Sequence, residues 1–264
     1  MDYSHYRKIV FRRDGKVLHA TFNRPEVLNA FDAEMDQEVG RLFDDVARDD
    51  ATNVLVLTGA GKAFSAGGDI EHMQTVIDNP QLFLDGLRNG KKLLFSMLDC
   101  PKTIIAKVNG AAMGLGATIA LFSDLVYAAR HAKIADPHVK VGYAAGDGGA
   151  VIWPALLGPA RAKRYLLTGD VLTGEQAAAM GLVNEAVASE DLDRTVDEIA
   201  QRIATGASLA IQFTKMSVNV TLKQQLVSVI DASFAYEALS GRTADHQEAV
   251  NAFREKRAPR FTGK

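Results

Sequence analysis

The feature that most constrains this chain is a passage in its middle. A β-branched run, Thr103–Val108, gives way to Asn109, Gly110, Gly114 and Gly116 and then to an apolar stretch ending at Asp124. That order reads as strand, glycine turn, helix. The first N–H groups of a helix have no partner inside it and sit at the positive end of its dipole, so such a turn can hold a negative oxygen. Glycine lets a ligand come close to that backbone. Val54–Leu57 followed by Gly59–Ile70 repeats the design, and two such turns from neighbouring strands would aim two N–H groups at one point. An oxyanion hole is built that way, and loss of one donor costs about 3–4 kcal/mol of transition-state stabilisation.

Neither turn fits a nucleotide fingerprint. Gly114 and Gly116 supply two glycines of a dinucleotide turn, but the third position is Ile119, whose branched side chain blocks the close packing required. Gly61-Lys62 is followed by Ala63 and lacks the spacing of a phosphate loop. A net charge of −2 with interspersed signs leaves no footprint for nucleic acid. No apolar run approaches membrane-spanning length, and the polar start carries no secretory core. A single cysteine, Cys100, rules out an intrachain disulfide. The expectation is therefore a cytoplasmic protein with no membrane or nucleic-acid partner. His5, His19, His131 and His246 lack ligand spacing, so no metal is expected.

In chain order, residues 7–12 and 16–23 read as a hairpin about Asp14-Gly15. Asp32 caps a helix reaching about Asp49, with Met35, Val39, Leu42, Phe43 and Val46 on one stripe. A strand at 53–58 precedes the first glycine loop, and residues 69–98 read as helix broken near Asn79-Pro80. After the central turn come a helix at 113–122, short strands at 125–128 and 134–135, and a loop at Asp136-Pro137-His138. A glycine-dense stretch at 139–150 leads into an apolar helix containing Pro154, which should kink it. Short helices at 161–168 and 173–180 and a strand at 183–187 follow. Beyond Leu192 only helices are expected: 192–204, 208–240 with a break, and 243–257. No repeat is visible at the level of residues. Alternating strand and helix imply an α/β core with a largely parallel sheet or stacked ββα turns, and the helical tail implies a lid or oligomer contacts.

Five segments, NRPEVLNA at 23–30, VLTGAGKAFSAGGDI at 56–70, KVNGAAMGLG at 107–116, LLTGDVLTGEQAAAMGLVNEAV at 166–187 and AFREKRAPRF at 252–261, resemble the crotonase family, the enoyl-CoA hydratase/isomerase superfamily, in this order over nearly the whole chain. The resemblance implies a spiral of ββα units over residues 1–195 and a helical trimerisation region over 196–264. It implies a homotrimer or a hexamer of two trimers. It also implies an acyl-CoA thioester as substrate, with coenzyme A entering as part of that substrate and no permanently bound cofactor. By position the oxyanion donors would be the N–H groups of Ala66 and Leu115. Contacts to coenzyme A would come from Lys62, from Ala66, Gly67, Asp69 and Ile70, and from Phe253 and Lys256 of a neighbouring subunit.

Hydratases of the family use two glutamates, and here those positions hold Thr118 and His138. Adding water to an enoyl thioester requires a base and an acid, so the two-glutamate route is closed. His138 and Asp147 stand in the right region to replace them, since a carboxylate can orient an imidazole and stabilise its charged form. Relatives that hydrolyse carbon–carbon bonds of β-diketones use a similar pair. That leaves two further readings, a β-diketone hydrolase that needs no coenzyme A and a non-catalytic binding homologue. Glu71, His72 and Tyr143 are weaker candidates for the site.

Overall fold

The computed structural model describes residues 1–264. Its frame is a six-stranded sheet in the order β1-β2-β3-β5-β7-β10, formed by Ile9–Asp14, Val17–Phe22, Val54–Gly59, Thr103–Val108, Leu125–Ala129 and Glu185–Val187. β1 and β2 form the expected antiparallel hairpin, and every other pairing in this sheet is parallel. β3 is buried along its length, as a sheet covered on both faces requires. Helix α1, Ala33–Ala47, starts at Asp32, whose carboxylate accepts the Met35 N–H. It lays Met35, Val39, Leu42, Phe43 and Val46 into the core.

A second sheet, which the residues alone did not suggest, has the order β4-β6-β8-β9. Its strands are Ala63–Ser65, Ala111–Met113, Lys133–Ala135 and Leu172–Thr173. Three times the chain runs from the large sheet to the small one and then into helix. β3 and β4 lead to α2 (Ile70–Asp78) and α3 (Gln81–Asp99), and β5 and β6 lead to α4 (Leu115–Phe122). β7 and β8 lead through a short 3-10 turn at His138–Val141 to α5 (Gly149–Leu157). The repeat that residue identity hides is thus plain in the backbone, and it is the ββα spiral. α4 begins two residues later than its expected start, because residues 111–113 are spent on β6. Pro154 lies inside α5, which stops three residues later.

α6 (Pro159–Thr168) and α7 (Gly174–Ala179) complete the core layer, and α7 opens with the capping box of Thr173 and Gln176. Beyond β10 come α8 (Ser189–Ala204), α9 (Ser208–Ser240) and α10 (Ala244–Arg254). The expected division at 195/196 falls inside α8. That helix packs Leu192, Val196, Ala200 and Ala204 into the main core. α9 runs unbroken for 33 residues and is tied to the core by Lys215, whose buried ammonium reaches Asp124 Oδ2 and the Lys102 carbonyl, each at 2.8 Å.

Candidate active site

The two glycine turns come from adjacent strands and interlock. A Cβ on Gly67, which holds φ +86°, would lie 2.6 Å from the Met113 carbonyl, and one on Gly116 would lie 2.7 Å from Ser65 Cβ. Only glycine allows these approaches. Leu115 opens α4, so its N–H has no acceptor within the helix. In the first loop the expected donor is corrected. The Ala66 N–H is already donated to the Leu28 carbonyl at 2.9 Å, so it has no hydrogen left for a ligand. The free donor is Gly68. Phe31 donates to the Gly67 carbonyl at 2.7 Å and accepts from Asp69 N–H at 3.0 Å, which makes Gly68 the middle residue of a parallel bridge. That geometry turns the Gly68 N–H away from Phe31, and it meets no protein acceptor. Gly68 and Leu115 line one cavity of about 170 Å³.

Opposite this backbone wall stands a cluster of side chains. His138, on the short turn before α5, is held from both ring edges. Nδ1 pairs with Asp136 Oδ1, and Nε2 lies 3.4 Å from Asp147 Oδ2. Thr118 donates its hydroxyl to Asp147 Oδ1 at 3.1 Å. All of these groups are largely buried, which opposes charge on the imidazole, yet the two carboxylates outweigh that and hold His138 well above its ordinary value. Burial likewise works against the Asp147 anion, but His138, Thr118 and the Gly149 N–H keep its pKa low. The neutral-pH state is therefore an imidazolium between two carboxylates. Asp136, His138 and Asp147 bring ligand-type atoms within 4.8 Å of one another, and in this structure those atoms pair with each other.

Three groups here escaped sequence reading. Asp136 looked like a turn residue before Pro137; its neighbour two positions on, His138, was the available signal. Glu237 reaches the cavity from α9 with a buried Oε2 that has no hydrogen-bond partner. Burial, only partly offset by His138, pushes its pKa up to about 8, so it carries a proton at neutral pH. Asp36 of α1 lines the same cavity and is pushed up to about 7 by burial and by Asp32 and Asp147. No periodicity marks Asp36 or Glu237 as inward-facing acids. His72 and Tyr143 also line this cavity.

A second space, a groove of about 550 Å³, meets the first at Gly68, Met73 and His138. Ala66, Gly67, Asp69, Ile70 and Phe253 line it, as does Glu71. Phe253 of this same chain lines the groove, because α10 docks on α2. Arg254 pairs with Glu71 at 2.5 Å, and Gln247 exchanges hydrogen bonds with Gln74. Asp69 is engaged as the cap of α2 and by Arg24 at 3.4 Å. Lys62 and Lys256 are exposed and lie outside the lining of the groove, which contains no lysine or arginine.

The enoyl-CoA hydratase/isomerase family model matches residues 12–264. The 1,2-epoxyphenylacetyl-CoA isomerase of Escherichia coli is 37% identical, with 94% of this chain and 95% of that protein aligned. The crotonyl-CoA hydratase of Syntrophomonas wolfei is 34% identical over 98% of this chain and 99% of its own length. A crystal structure of an enoyl-CoA hydratase/isomerase from Mycobacterium paratuberculosis superposes with a TM-score of 0.91 at 33% identity, covering 94% of this chain and 99% of that one.

Proposed function

This chain belongs to the enoyl-CoA hydratase/isomerase family, and from that premise we propose that it moves protons on an acyl-CoA thioester whose carbonyl oxygen is held by the N–H groups of Gly68 and Leu115. The observation that carries this reading is the pair that shares a cavity with those donors: His138 Nε2 lies 3.4 Å from Asp147 Oδ2, an imidazole and a carboxyl group within reach of one ligand. One can accept a proton and the other can give one. Asp147 takes the proton from the carbon next to the carbonyl, and the electron pair moves onto oxygen as an enolate steadied by the two N–H groups. His138 returns a proton at a carbon farther along. No water is consumed, so the net change is migration of a double bond. Asp136 positions His138 through Nδ1, and Glu237 supplies a second, neutral donor to the same cavity.

The test is conversion of trans-3-hexenoyl-CoA to its conjugated isomer, followed by absorbance. Wild type should turn over, and Asp147→Asn and His138→Ala should each lose roughly 10²–10⁴ in rate per folded molecule, the ordinary worth of general acid–base catalysis, with the fold of each variant checked by circular dichroism. Undiminished rates in both variants would refute the assignment.

A second reading is favoured by the groove itself. Its lining holds no lysine or arginine for the phosphates of coenzyme A, and its three acids, Glu26, Asp69 and Glu71, face the same space. Hydrolytic cleavage of a β-diketone would use the same hole and the same proton-transfer pair without that anchor. Calorimetry with free coenzyme A separates the two: measurable binding favours the thioester, and none favours the diketone.

For the assembly the supporting feature is α9, whose Phe213, Val218, Val227, Tyr236 and Leu239 are each more than half exposed. A trimer or a pair of trimers would cover them, and native mass spectrometry reads the stoichiometry directly.

A further inference from the structure

The inner cavity has a neighbour. A second chamber of about 340 Å³, twice the inner volume, lies between α2, α3 and the junction of α9 with α10. The two share three lining residues, Val76, Phe83 and Tyr143, so these stand where the two spaces adjoin. The outer chamber is mainly apolar, with Ile77, Leu84 and Ala238 among its walls. Of the three shared residues Tyr143 is the most firmly fixed. Its ring stacks on His246 with centroids 3.8 Å apart and planes 20° from parallel. It also lies so near Gly241 that a Cβ there would come within 2.5 Å of the ring. His246 is held in turn by the Val141 carbonyl at 2.6 Å. Gly142 holds φ +70° and has no Cβ, and this lets α10 and its His246 approach; any side chain at 142 would meet the His246 backbone at 2.8 Å. The Tyr143 N–H donates to the His138 carbonyl at 2.9 Å, which ties the wall to the proton-transfer turn.

We propose that Tyr143 is the specificity-determining partition of the acyl site. Its ring closes a second, apolar acyl subsite, confines the wild-type enzyme to short or compact acyl groups, and leaves the outer chamber as the natural continuation for a long aliphatic chain. This rests on the acyl-thioester reading above. An aromatic ring between two apolar spaces, braced by one ring on its face and by a glycine at its edge, limits length without contributing to the chemistry.

Two series test it. With 3-butenoyl, trans-3-hexenoyl and trans-3-decenoyl thioesters, wild type should favour the short chains. Tyr143→Ala should shift the ratio of kcat/KM for decenoyl over butenoyl by roughly tenfold or more, the scale on which apolar pockets discriminate methylenes. Tyr143→Phe, which keeps the ring, should leave the ratio where it was. Adding Leu84→Trp to Tyr143→Ala should refill the outer chamber and restore the short-chain preference. An unchanged ratio in Tyr143→Ala, or a wild type already indifferent to length, overturns the proposal. The second series uses no thioester and no turnover. In thermal shift with straight-chain alcohols from butanol to decanol, Tyr143→Ala should gain selectively from the longer members and wild type should not. Equal responses of the two proteins also overturn it. Absence of thioester turnover together with a positive alcohol series would refute the proposed reaction and leave the partition standing.

Discussion

The two walls of this site are made of different material. One is backbone: Gly68 and Leu115 offer N–H groups whose positions are set by a parallel bridge and a helix start, and no side chain at either position is involved. The other is side chain: Asp136, His138, Asp147 and Glu237 converge from a short turn, a glycine loop and a C-terminal helix. Backbone donors survive changes of residue type, whereas a proton-transfer pair is rewritten by two substitutions. A fold can therefore keep the first wall and exchange the second. Thr118 and His138, at the positions where the resemblance puts two glutamates, are where such an exchange is expected.

The largest effect should fall on the side-chain wall. His138→Ala removes the one residue that touches both carboxylates, and about a thousandfold loss in kcat/KM is expected, read with any thioester that wild type converts. An equal loss in His138→Gln would show that charge and not shape is what the wall needs. For the backbone wall the sharp variant is Leu115→Pro. Proline is tolerated at the first helical position but has no N–H, so a loss of roughly 10²–10³ in rate with little change in melting temperature is expected. If that variant keeps its activity, the contrast between the walls fails, because the hole does not then depend on this donor.

The anchoring of α9 comes next. Lys215→Met leaves Asp124 buried without its cation, and uncompensated burial of this kind costs about 3 kcal/mol, measurable by denaturant titration. The smallest effect concerns Glu237. The folded protein keeps this proton up to about 8, whereas the ordinary value is 4.5, so the group's contribution to stability is complete below 4.5 and is lost as pH rises through 8. Melting temperature should fall across that window and Glu237→Gln should flatten the fall. Asp36, pushed up to about 7, has the same sign and should leave a residual slope.

What the residues alone disclosed follows the same division. Both glycine turns, the hairpin and the pairing of His138 with Asp147 were legible, because each rests on local spacing. The first donor was misplaced by two residues, since the Leu28 carbonyl that occupies Ala66 comes from a loop nearly forty positions earlier and leaves no periodic mark. Three of the four strands of the second sheet were missed because strands of two or three residues carry no alternation. Glu237 was invisible for another reason. α9 carries apolar residues on every side, so no stripe says which acid faces inward.

Helix α10 lays Phe253 against the groove of its own chain, and this has a genetic consequence. If every polypeptide furnishes its own groove, hybrid particles assembled from His138-deficient and Phe253-deficient subunits should show no complementation. Each copy would succeed or fail alone, and a damaged allele would dilute activity in simple proportion to its dose.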